Sequence, residues 1–260
     1  MIFFALIYGC TSSTTDDITY VHEQPDRVQL TPQWTPEELI HHMDLLMTYG
    51  LPNPYPILER YLELYDEGGT PDCPGTNYNF DGVDVDNAGC ETDSGYFYAG
   101  LGELRESDEG FDLQCDCRIV TPDGRMIRGA GNVGVFNDDG FLMLDIRGSF
   151  LEIKSEYEGT WLEELPSTSL TLSKHRGETF ISGGYTINGI SIYMENYMLG
   201  DCSQRDGSIF IRDPSGGWWT WTTKGSCTEG TLTFQESDYG TWSWNSEQLD
   251  EAVQDIWDMQ

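Results

Sequence analysis

Residues 180–199 read FISGGYTINGISIYMENYML. Two runs rich in β-branched and aromatic residues, Phe180–Ile187 and Ile190–Leu199, flank the dipeptide Asn188-Gly189. Asn-Gly accepts positive φ at both central positions of a type I′ turn, whose twist matches that of two antiparallel strands. The stretch therefore predicts a hairpin. The same pattern repeats outward from it, from Cys73 to about Asn245. "TPDGR", "NDDGF", "RDGSI" and "DPSGG" punctuate alternating apolar and polar residues. "SIFIRD" pairs with "WWTWTT" through "PSGG", and "TLTFQE" with "TWSWN" through "SDYG". About ten to twelve strands in hairpin order predict a mainly β fold, an antiparallel sheet that is barrel- or sandwich-like. No helical crossover interrupts it, so parallel βαβ units are excluded.

Helices are expected only at the two ends. "TPEELIHHMDLLMTYG" has Thr35 as N-cap, Pro36 at the first helical position and Glu38 closing a capping box. Leu39, Met43, Leu46 and Met47 form its apolar stripe. "NPYPILERYLELYDEGG" reads as a second helix capped by Asn53, with Ile57, Leu58, Tyr61, Leu62 and Tyr65 inward. The short connection makes the pair a helical hairpin. "SEQLDEAVQDIWDM" predicts a closing helix with Ser246 as cap and Leu249, Ala252, Val253 and Ile256 on one face. The expected organisation is a signal peptide over 1–9, a tether over 10–33, the helical hairpin over 34–69, the β domain over 70–245 and the C-terminal helix over 246–260.

Charge narrows the partners. Asp plus Glu number 45 against 13 Lys plus Arg, for a net charge of -32 spread along the chain. A phosphate backbone needs a basic surface, so nucleic acid is excluded as a partner. The folded domain would not bind anionic lipid headgroups either. Aromatics are 13% of the residues while apolar residues reach only 38%, so the core must lean on Trp, Tyr and Phe.

The chain begins MIFFALIYGC. Its apolar run is too short to span a bilayer, which takes ~20 residues, and fits the core of a secretory signal. Ile7-Tyr8-Gly9-Cys10 resembles a lipobox, the motif of bacterial cell-envelope lipoproteins. The resemblance implies cleavage before Cys10, diacylglycerol and further acyl chains such as palmitate at Cys10, and an anchored protein of the envelope, at the outer membrane. "TSSTTDD" would then be a polar tether to the folded domain. The stretch from Cys73 to Gly100 is also similar to cysteine-flanked segments of uncharacterised envelope lipoproteins, a likeness that implies no activity.

Seven cysteines are present. If Cys10 carries lipid, Cys73, Cys90, Cys115, Cys117, Cys202 and Cys227 are left as an even set for an oxidising compartment. Cys202 with Cys227 is the first choice, and Cys73 with Cys90 would close the acidic stretch between them. Cys115 and Cys117 point to the same face of one strand and bond poorly to each other. Pairing of Cys73 and Cys90 with these two is therefore the alternative.

Three patterns could carry chemistry. Asp81, Asp84, Asp86, Glu91 and Asp93 crowd oxygen ligands into what reads as one loop, for which calcium would be the fitting ion. The EF-hand spacing fails, and a solvated acidic loop explains the composition equally, so no cofactor is required. Trp219, Trp221, Trp242 and Trp244 could stack on a ligand or could be core. Nucleophile and metalloprotease motifs are missing. A Ser-His-Asp triad would have to use His22, His41, His42 or His175, none well placed. A pair of carboxylates for glycoside hydrolysis is inevitable somewhere among so many acids and so carries no information. The leading expectation is a membrane-anchored, exported lipoprotein with a non-catalytic β domain facing an envelope protein or glycan. The alternatives are a carbohydrate-binding module on surface tryptophans and a secreted hydrolase with a carboxylate pair.

Overall fold

A computed structural model describes residues 29–49, 51–67, 72–79, 81–138, 141–153 and 167–258. The chain divides into two units, Met1–Leu30 and Thr31–Gln260, and the helices and strands belong to the second. Two helices come first, α1 (Pro36–Tyr49) and α2 (Tyr55–Glu67). Thirteen strands follow: β1 (Thr76–Asn79), β2 (Gly82–Glu91), β3 (Phe97–Ser107), β4 (Gly110–Val120), β5 (Met126–Asp138), β6 (Phe141–Ile153) and β7 (Ser167–His175), then β8 (Glu178–Ile187), β9 (Ile190–Leu199), β10 (Asp206–Arg212), β11 (Trp218–Lys224), β12 (Glu229–Phe234) and β13 (Ser237–Ser243). Helix α3 (Glu247–Asp258) closes the chain.

The strands form one antiparallel meander in strict sequence order. Each strand pairs with its neighbours in the chain, and among the described residues β1 does not pair with β13, so the sheet stays open. The hairpin from β8 to β9 is the one its sequence predicts: Ile187 faces Ile190, and Asn188 and Gly189 both have positive φ, at 48° and 74°. The acidic stretch contributes strand β2, which a loop reading misses. Val83 and Val85 are buried while Asp84 and Asp86 face out, so the segment alternates like any half-buried strand.

Helix α1 begins with the predicted capping box. Thr35 N–H donates to Glu38 Oε2 at 2.8 Å, and Glu38 N–H donates to Thr35 Oγ1 at 3.3 Å. Leu39, Met43, Leu46 and Met47 are all buried. On α2 the buried residues are Tyr55, Pro56, Ile57, Leu58, Tyr61 and Leu64, while Leu62 and Tyr65 sit at the margin. Tyr65 instead donates its hydroxyl to Glu106 at 2.9 Å. At α3 the cap also differs from expectation. Asn245 Oδ1 accepts from Glu247 N–H at 3.2 Å, because the Ser246 hydroxyl is turned inward and donates to the Cys227 carbonyl at 2.8 Å.

One face of the sheet packs on the helices. Tyr185 of β8 donates its hydroxyl to the Leu46 carbonyl of α1 at 2.8 Å. Trp244 donates its indole N–H to Asp44 of α1 at 2.7 Å, and α1 also touches α3. Helix α2 lies against β2 and β5. Its close approach requires glycine: a Cβ on Gly102 would stand 1.9 Å from Tyr61 Oη, and one on Gly129 2.7 Å from Ile57 Cδ1. Leu104, Leu113, Val133, Ile146, Leu172, Ile192 and Ile209 are among the inward strand residues that complete the core.

Candidate functional site

Since the helices cover one face, the alternate residues of every strand build a second, helix-free face. On β2 to β4 the outward residues include Asp84, Asp86, Glu103 and Asp116, which with Leu101 and Gln114 line a groove of about 420 Å³. Arg105 crosses its edge, 2.5 Å from Asp84 Oδ1 and 2.7 Å from Glu103 Oε1. The hydrogen bond from Arg105, with a second from Asn79 at 2.8 Å, holds Asp84 below the usual carboxylate range. Across β9 to β13 the outward residues mix hydroxyls and rings with charges of both signs, Glu195, Asp206, Arg212, Lys224, Glu229 and Asp238. Tyr193, Phe210, Thr220 and Thr233 stand side by side on successive strands, and so do Ser208, Thr222, Thr231 and Thr241.

The five acidic residues expected to share a cation do not converge. Asp81 lies in the turn before β2, Asp84 and Asp86 on its outward face, Glu91 at its end and Asp93 in the next turn. An extended strand rises ~3.4 Å per residue, so Asp84 and Glu91 are separated by roughly 20 Å. Among the described residues no group of three or more metal-ligating side chains comes together.

Two disulfides form, Cys73–Cys90 and Cys202–Cys227. The alternative pairing through β4 does not occur, because Cys115 and Cys117 both point under α2 and are buried as free thiols. A hydrogen bond with Cys117, together with burial, pushes the Cys115 thiol up. Burial likewise raises Tyr61, whose hydroxyl meets Cys117. A buried thiol with a raised pKa is an inert packing group. Cys10 lies outside the described residues.

The tryptophans expected to stack on a ligand are core. Trp219, Trp221 and Trp244 are 1%, 2% and 2% exposed. Trp219 packs against Phe234 at 5.0 Å and Tyr239 at 4.9 Å, and Trp221 meets Trp244 edge-on at 5.8 Å. Trp242 is half-buried, with its indole N–H given to the Tyr239 carbonyl at 2.8 Å. A chain short of aliphatic residues fills its interior with rings. Among the described residues the exposed rings are Tyr78, Phe141, Tyr193, Trp218 and Tyr239, and the sequence pattern puts Tyr193 and Trp218 out of phase with the core. That phase is the signal by which they are legible.

Carboxylates on the helix-free face also come in pairs. Asp112 of β4 and Asp145 of β6 flank Gly134 of β5. Burial and the Asp145 charge push Asp112 up. The space above Gly134 holds the Phe136 ring, 2.7 Å from where a Cβ would be. A substrate between the two carboxylates would have to displace that ring.

Two polar latches fix the ends of the domain. Asp213, in the turn between β10 and β11, accepts from the main-chain N–H of Gln33, Trp34 and Ser215 and from the indole of Trp219. Arg205, fully buried between β9 and β10, donates to Asp250 of α3, to the Ser246 hydroxyl and, at 3.4 Å, to the Gly200 carbonyl. Beside it a cavity of about 470 Å³ opens between the β7–β8 turn and α3, lined by Lys174, Leu199, Glu251 and Val253 among others. No protein-family model matches the chain, and no curated protein or solved structure matches it.

Proposed function

We propose that this chain is an exported lipoprotein of the bacterial cell envelope, anchored through lipid on Cys10, whose β domain is a non-catalytic binding platform. One observation carries the reading: four cysteines of the domain are joined in two disulfides, Cys73–Cys90 and Cys202–Cys227. Such bonds persist in oxidising compartments. Ile7-Tyr8-Gly9-Cys10 supplies the route there and the anchor. More than one acyl chain makes the attachment stable, since a single chain binds only marginally. The long helix-free face of the sheet supplies the platform. Its partner is an envelope protein or glycan and not nucleic acid, because a net charge of -32 repels a phosphate backbone.

Mass spectrometry of the native N-terminal peptide tests this. The expected species begins at Cys10, carries acyl chains and comes from the membrane fraction. A soluble, unacylated chain retaining Met1, with its cysteines reduced, would overturn the reading.

A further inference from the structure

We propose that the cavity between the β7–β8 turn and α3 binds a short zwitterionic peptide, with Lys174 holding its carboxylate end and Glu251 its ammonium end. The cavity lies on the helix side of the sheet, so the inference goes beyond the platform reading and does not use the helix-free face.

The floor comes from the sheet. Lys174, Thr179 and Leu199 are direct partners across β7, β8 and β9, so their side chains share one face. The roof comes from α3, through Asp250, Glu251, Val253 and Gln254. Leu199 and Val253 are buried and make the walls apolar, while Gly200 lines the cavity with main chain alone. The volume of about 470 Å³ lies within the ~300–1,000 Å³ of sites that enclose small molecules.

In a chain of net charge -32, the charges at this cavity balance. Its ionic side chains are Lys174, Asp250 and Glu251. Asp250 is already neutralised: Arg205 donates to its Oδ2, and Gly200 N–H donates to its Oδ1 at 3.3 Å. One cation on the floor and one carboxylate on the roof are left. Among the described residues neither of them forms an ion pair. The ladder partners of Lys174 are Leu142 and Thr179, both uncharged, and α3 has no basic residue to face Glu251. Outside the lining, the β7–β8 turn carries Arg176 and Glu178, one charge of each sign, and Asp201 accepts from the Ser203 N–H and hydroxyl, both at 2.9 Å.

These charges select the ligand. A simple anion would meet Glu251, and a simple cation would meet Lys174. A molecule with one charge of each sign satisfies both walls. A quaternary ammonium zwitterion calls for an aromatic cage, and no ring lines this cavity. The apolar walls suit an apolar side chain, and the Thr179 hydroxyl and Gln254 amide offer donors and acceptors of the kind that peptide groups use. An extended chain rises ~3.4 Å per residue, so a peptide of two or three residues sets its charged ends roughly 7–10 Å apart, as binding between two walls requires.

Isothermal titration calorimetry of the full chain, in detergent, with the tripeptide alanyl-leucyl-alanine tests this. Its free, N-acetylated and C-amidated forms are compared, with free leucine as the short control. The expected result is saturable binding of the free tripeptide, about tenfold weaker for either capped form and for leucine. Lys174→Met should bind the free tripeptide about tenfold more weakly and treat the free and amidated forms alike. Glu251→Gln should do the same for the free and acetylated forms. A residue that only shapes the cavity would not abolish the effect of one cap while keeping that of the other. The melting temperature of each variant is the folding control, and each variant tests its own end, so one that fails to fold leaves the other decisive. Amide hydrogens of α3 should exchange more slowly with the tripeptide bound. The proposal is overturned by a lack of saturable binding, by leucine binding as tightly as the tripeptide, or by either variant still distinguishing the cap assigned to its residue.

Discussion

Replacing Asp213 by Asn should loosen the point where the chain enters α1. Asp213 is 2% exposed. Its Oδ1 accepts from Gln33 N–H at 3.0 Å and Ser215 N–H at 2.8 Å. Its Oδ2 accepts from Trp34 N–H and Trp219 Nε1–H, both at 3.1 Å. Asparagine has the same shape but presents an NH2 group in place of one oxygen. Whichever way the amide turns, two donors then face a donor. Each buried donor left unpaired costs about 1–3 kcal/mol, and the bonds that survive lose their charge assistance. A loss of about 3–5 kcal/mol follows, a large share of the ~5–15 kcal/mol that stabilises a typical domain. At ~2–4 °C per kcal/mol for a unit of this size, the melting temperature should fall by roughly 10 °C. Circular dichroism of the full chain at pH 7 measures it. Acid titration adds a second reading. Burial pushes Asp213 up, but the hydrogen bonds from Ser215, Gln33 and Trp34 outweigh it, and the carboxyl is held below its ordinary value. The stabilisation it gives is therefore present above pH ~3.9 and lost as pH falls through the folded pKa. Asp213→Asn should remove that part of the acid limb. A variant that melts within 2–3 °C of the parent, about 1 kcal/mol or less, would refute the assignment of Asp213 as the latch.

Three further outcomes are expected. Arg205→Met strands Asp250 and Ser246 and should cost about 3–5 kcal/mol, with amide hydrogens of α3 exchanging faster in the variant; unchanged exchange in α3 would show that the arginine does not hold the helix. His42 packs 4.4 Å from the Trp34 ring, and burial, with His41 nearby, lowers its pKa. The unfolded chain then binds the proton more readily, so stability present above pH ~6.5 declines as pH falls through and below that value, and His42→Gln should flatten the melting temperature between pH 7.5 and about 5. Because β2 holds Asp84 and Glu91 far apart, millimolar calcium should leave the melting temperature unchanged, and a rise of several degrees would show a site assembled from those residues.

The strands were readable because each carries its own instructions. Asn188-Gly189 sets a turn by its local φ preference, and the alternation on either side decides which residues face in. Thr35 and Glu38 cap α1 through a contact three residues long. The first-choice disulfide Cys202–Cys227 is found, and of the two readings for Cys73 and Cys90 they pair with each other, while the acidic composition of β2 hides an alternation that Val83 and Val85 reveal.

The site was less legible, because burial is a property of the face a ring points to and of what covers it. A period of two pairs Trp219 with Trp221 on one side and leaves Trp218 on the other, but it cannot say which side the helices take. The same holds for Ser246, whose hydroxyl turns from capping to the Cys227 carbonyl once Arg205 arrives from another hairpin. The amino-acid sequence alone determined an antiparallel β protein, its bounding helices, its acidity and its hairpin order, all of which rest on contacts between near neighbours. Only the tertiary structure decided that the sheet stays open, and that Trp219, Trp221 and Trp244 are core while Trp218 is exposed. Those outcomes depend on which surfaces meet across long stretches of chain, and no local preference encodes that meeting.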